Sequence, residues 1–200
     1  FEPVAFGQKG TLGGDTVTKD LSLDLGKGVS LKLVRIPAGK FKMGNHDTPA
    51  ETVKKVGGWM SWPGHPHHGR TDQRQIDEGH LVDEYPAHEV TISKPFHMGI
   101  YEVTQAQWKA VMGTEPWMTK QALGFARMQP RPQGFDDYPV VWVSSYDAIE
   151  FCRKLSKKTG RTVSLPTEAQ WEYACRAGSS TAFSFGDELS KLNDHGWYGG

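Results

Sequence analysis

The sequence predicts an irregular α+β domain, and three observations carry that prediction. Glycine and proline number 23 and 12 in 200 residues, with seven tryptophans beside them, a composition of many turns pinned by large aromatics. Short stretches with the 3.6 period of a helix stand among short runs that alternate like strands. No internal repeat and no heptad run is present, which excludes solenoids and coiled coils. Two hundred residues fit one domain that can bury a core without metal or disulfide support. We place a lead-in segment at residues 1 to 28 and the domain at 29 to 200, with a loop insertion at about 46 to 81.

In chain order, Leu21-Ser22-Leu23-Asp24-Leu25 alternates as a half-buried strand. Residues 31 to 36 and 40 to 43 flank Pro37-Ala38-Gly39 and read as a hairpin. From His46 to Leu81 the chain is polar and rich in Gly, Pro and His without a sustained period, which reads as a surface insertion partly packed through Trp59 and Trp62. Residues 88 to 92 and 96 to 103 read as paired strands around Ser93-Lys94-Pro95.

Three short helices follow. Thr104 with Gln107 forms a capping box, in which each side chain satisfies the other's backbone N–H, and Trp108, Val111 and Met112 follow at helical spacing up to Gly113. Ser144 with Asp147 starts the second helix in the same way; Ala148, Phe151, Cys152 and Leu155 line its face, and Gly160 ends it. In the third, Thr167 and Gln170 form the start, Trp171, Ala174 and Cys175 share the core-facing stripe, and Gly178 is the stop.

Lys plus Arg equals Asp plus Glu at 23 each, so no basic field draws nucleic acid or an anionic membrane surface. No apolar run reaches the ~18 residues of a membrane-spanning helix. Two cysteines are too few for a disulfide framework, and Cys152 and Cys175 read as buried thiols. A copper pair made of these two is disfavoured, because Cys175 lies near a helix C-terminus, where the dipole opposes a thiolate.

Among candidate ligands, His65-Pro66-His67-His68 with His80 could offer imidazoles to a metal, but no spacing with Cys or carboxylate completes a site and an exposed loop explains them. Asp136-Asp137 and Asp83-Glu84 read as solvated or loop-bonding carboxylates before acid/base groups. Asn193-Asp194 offers oxygen donors of the kind calcium accepts, and the competing reading is an Asx turn before Trp197.

Five ordered blocks carry a resemblance. They are Leu33 to Gly44 (LVRIPAGKFKMG), Asp83 to Ile92 (DEYPAHEVTI), Tyr101 to Trp108 (YEVTQAQW), Pro139 to Ser144 (PVVWVS) running on to Phe151-Cys152, and Leu165 to Gly178 (LPTEAQWEYACRAG). Over roughly residues 31 to 200 the chain resembles the formylglycine-generating enzyme family, the sulfatase-modifying factors. The resemblance implies an irregular α+β fold related to C-type-lectin-like domains, with a client-binding groove. In the family's catalytic members, two cysteines near the C-terminal end bind copper(I), activate dioxygen and oxidise a cysteine of a client sulfatase to formylglycine.

Those cysteines follow a segment that has no match in this chain, so they are expected beyond residue 200, and no catalytic residue is assigned within it. The domain is then incomplete at its C-terminus, and its own missing C-terminal segment or a second chain would complete it. The resemblance also implies a structural calcium site to which Asn193 contributes, again completed further along. In secreted relatives, cysteines at positions 152 and 175 bond to partners in that same later region, and an extracytoplasmic or secreted setting fits. Glu168, Trp171 and Arg176 are typical of the family and are explained by capping, core anchoring and an ion pair. The alternative function is a non-catalytic relative that binds a peptide, glycan or protein partner, since one fold hosts both kinds.

Overall fold

The computed structural model of the chain describes residues 20–56, 81–118, 136–181, 183–188 and 191–195. They fall into two compact units, each built from separate stretches of sequence. One draws on Gly13–Pro37 and Pro95–Thr167 and is called here the Trp108 unit. The other draws on Ala38–Lys94 and Glu168–Gly200 and is called the Tyr173 unit.

The Trp108 unit holds a three-stranded antiparallel sheet, β1 (Leu21–Gly26), β2 (Val29–Ile36) and β5 (Phe96–Gly99), in the order β1-β2-β5. Gly26, Lys27 and Gly28 all take positive φ in the tight turn from β1 to β2, which the two glycines adopt without a Cβ penalty and Lys27 adopts between them. Alternation turns Leu23, Leu25 and Leu31 inward, where they are buried. Helix α2 (Gln105–Met112) begins at the expected capping box, Thr104 accepting from Gln107 N–H at 3.3 Å and Gln107 Oε1 accepting from Thr104 N–H at 2.9 Å. Gln107 also donates to the Ser30 carbonyl at 2.9 Å, which ties the helix start to β2.

Helix α3 (Ser145–Thr159) starts at the Ser144–Asp147 box and ends at Gly160 with φ 67°. Trp108 and Phe151 stack with centroids 5.3 Å apart and join the three leucines, Cys152 and the fully buried Leu155 in one core. Before each helix the backbone forms a short ribbon, in which Val140 N–H donates to the Val103 carbonyl and Gln105 N–H to the Tyr138 carbonyl, both at 2.8 Å.

In the Tyr173 unit, β3 (Gly39–Met43) pairs antiparallel with β4 (His88–Ile92), Phe41 facing Val90 in register. Helix α4 (Glu168–Arg176) packs on both strands, Tyr173 meeting Phe41 with centroids 5.2 Å apart. The tyrosine hydroxyl lies where a Cβ on residue 39 would stand, so glycine there admits the ring. A 3-10 turn covers Val82–Glu84, and a short helix α5 covers Leu192–His195.

Three expectations are corrected. Residues 31 to 36 and 40 to 43 do not form a hairpin: β2 pairs with β1 and β5, and β3 with β4. Residues 88 to 92 and 96 to 103 are likewise not partners, and the second strand stops at Gly99. At Pro37 and again at Pro95 the chain leaves one sheet for the other, and proline, which lacks a ladder donor, stands at both crossings. The stretch expected as a loop insertion contains helix α1 (Pro49–Val56). Thr48 and Glu51 cap it reciprocally, Glu51 Oε2 accepting from Thr48 N–H at 2.9 Å and Thr48 Oγ1 from Glu51 N–H at 3.3 Å, with Pro49 in the first helical position. Trp59, Trp62 and His65 to His68 with His80 lie outside the described residues.

Candidate functional site

The second half of α4 builds a clamp around Gly44. Glu172 and Arg176 stand one helical turn apart on α4 and form an ion pair at 2.7 Å, with side chains only 19 and 20% exposed. Glu172 Oε1 accepts from the Gly44 N–H at 2.8 Å, and Arg176 donates to the Gly44 carbonyl at 2.8 Å. One residue's two backbone groups are therefore held by opposite charges from the same helix. Gly44 has φ +89°, and a Cβ there would run into the Glu84 carbonyl. Asn45 N–H donates to that same carbonyl at 2.6 Å, and Ala87 N–H to the Asn45 carbonyl at 3.0 Å, so the clamp fixes the end of β3 and the approach to β4 together.

The clamp leaves a second carboxyl in an unfavourable place. Glu84 is held above the ordinary carboxylate range by burial first, then by the negative charge of Glu172, with Arg176 opposing and Glu168 adding a smaller push upward. Glu84 nonetheless keeps access to solvent at the surface, like its neighbour Asp83 and like Asp136 and Asp137, so the upward push reflects the crowding of its carboxyl beside α4 rather than full enclosure. The sequence had singled out Glu168, Trp171 and Arg176, and Arg176 does serve an ion pair, with Glu172 as partner. Trp171 does not anchor the core: it is 48% exposed, while Ala174 is buried and Tyr173 packs on Phe41. The cause is that α4 lies on β3 and β4 through the side bearing Tyr173 and Ala174, which the stripe chosen from periodicity only partly includes. Glu172 went unremarked, although its spacing of four from Arg176 was the available signal.

Both cysteines are free thiols. Burial pushes the Cys152 thiol up, and burial does the same at Cys175, where Arg176 opposes and Glu172 adds to the rise. Neither is prepared as a thiolate. Beyond α4, Arg176 reaches the Thr181 carbonyl at 3.4 Å, and Thr181 Oγ1 donates to the Phe183 carbonyl at 2.6 Å. Phe183 stacks on Phe185, and Phe185 on His195 with centroids 4.3 Å apart, which places α5 against this turn. Asp194 is exposed on α5. Among the described residues no group of three or more His, Cys, Asp or Glu side chains is arranged to hold a metal ion. No helix among them is long and apolar enough to cross a membrane.

The fold and site define a mixed α+β protein of short strands and capped helices, with a glycine clamp in one of its two units. Residues 27–198 match the family described as the sulfatase-modifying factor enzyme 1-like domain, and the chain belongs to that family. It is 27% identical over 203 residues to a formylglycine-generating enzyme of Bos taurus, covering 82% of this chain and 45% of that protein. It is 24% identical over 216 residues to the inactive C-alpha-formylglycine-generating enzyme 2 of Bos taurus, covering 88% and 60%. Among solved structures, PvdO from Pseudomonas aeruginosa superposes with a TM-score of 0.52 and 26% identity, over 84% of this chain and 55% of that one. The chain thus spans about half the length of the curated relatives it matches.

Proposed function

We propose that this chain is the scaffold and part of the client groove of a formylglycine-generating enzyme, which converts a cysteine of a client sulfatase to formylglycine with copper and dioxygen, the sulfur leaving as sulfide and an external thiol supplying the two further electrons that reduce dioxygen to water. Copper, when bound to a thiolate pair, supplies the activation of dioxygen. The observation that carries the reading is family membership over residues 27–198 combined with two local thiols that burial disfavours as thiolates. Catalytic cysteines are accordingly assigned to polypeptide beyond residue 200. Calcium is proposed as a structural ion held in part by Asn193 and Asp194, whose amide and carboxylate oxygens are donors of the right hardness.

The second reading, a non-catalytic binding relative, is favoured by the similarity to the inactive bovine protein. The experiment that separates them uses the full-length protein, copper(I), a thiol reductant and a Cys-x-Pro-x-Arg peptide. Oxygen uptake together with an aldehyde on the peptide, retained in Cys152→Ser and Cys175→Ser, is the expected result. A copper-loaded protein that leaves both oxygen and peptide unchanged establishes the binding relative instead. Loss of turnover in either folded serine variant overturns the placement of the reactive thiols.

A further inference from the structure

We draw no further inference here: the strongest candidate, the exposed apolar patch that Tyr146 and Ile149 form on α3 with Val141 before its cap, carries nothing, because nothing in the structure shows what covers it.

Discussion

Replacing Glu172 by alanine tests whether the Gly44 clamp holds the Tyr173 unit together. The substitution removes a charged acceptor from the Gly44 N–H and the partner of Arg176, contacts of 2.8 and 2.7 Å. A hydrogen bond to a charged group is worth about 1.5–3 kcal/mol, and stranding one member of a buried pair costs about 3–5 kcal/mol. Arg176 is a fifth exposed and keeps the Gly44 and Thr181 carbonyls, so the lower part of that range applies. We therefore expect a loss of about 3 kcal/mol for Glu172→Ala, and about half of that for Glu172→Gln, which still accepts from Gly44. Urea denaturation gives the first number, and hydrogen exchange at the Gly44 amide should accelerate about a hundredfold. In Glu172→Ala/Arg176→Ala the cost should fall well short of the sum of the single costs. A loss below about 1 kcal/mol with unchanged exchange at Gly44 would refute the reasoning.

Glu84 provides a pH test. Its folded-state pKa is raised above the ordinary value, so the folded state binds the proton more tightly, and the stabilisation is complete below the unfolded pKa and lost as pH rises through the folded one. Glu84→Gln should therefore flatten the decline of Tm from about pH 4 to neutrality; parallel curves for variant and wild type exclude the burial and Glu172 repulsion as its cause. For the calcium proposal, millimolar calcium should raise the Tm of the full-length protein and Asp194→Ala should abolish the rise, whereas an equal rise in the variant removes Asp194 from the ligand set.

What the sequence disclosed was local. The boxes at Thr104 and Ser144 were legible because each is complete within four residues, and α2 and α3 begin and end where those signals place them. The box at Thr48 obeys the same rule, but its surroundings of Gly, Pro and His masked it. Strand partners were not legible: proximity in sequence favoured hairpins, whereas Ile36 pairs with Phe96 and Gly39 with Ile92. At the candidate site, Arg176 was visible as a motif residue, but its grip on Gly44 spans 132 positions and no pattern encodes it. Family resemblance supplied the rest of the functional reading, and short-range periodicity alone would have fitted other α+β folds equally well.

The crossings at Pro37 and Pro95 make the two sheets a nested closure. Once Gly39 meets Ile92, only the short connectors on either side separate Ile36 from Phe96, so zipping one ladder delivers the ends of the next almost without further loss of chain freedom. The long stretch between β3 and β4 is enclosed once, and each doubling of its length adds only about 0.6 kcal/mol to that enclosure. Variation in the stretch after α1 can therefore proceed between relatives with little penalty to assembly, and slow, non-local nucleation is the corresponding kinetic signature.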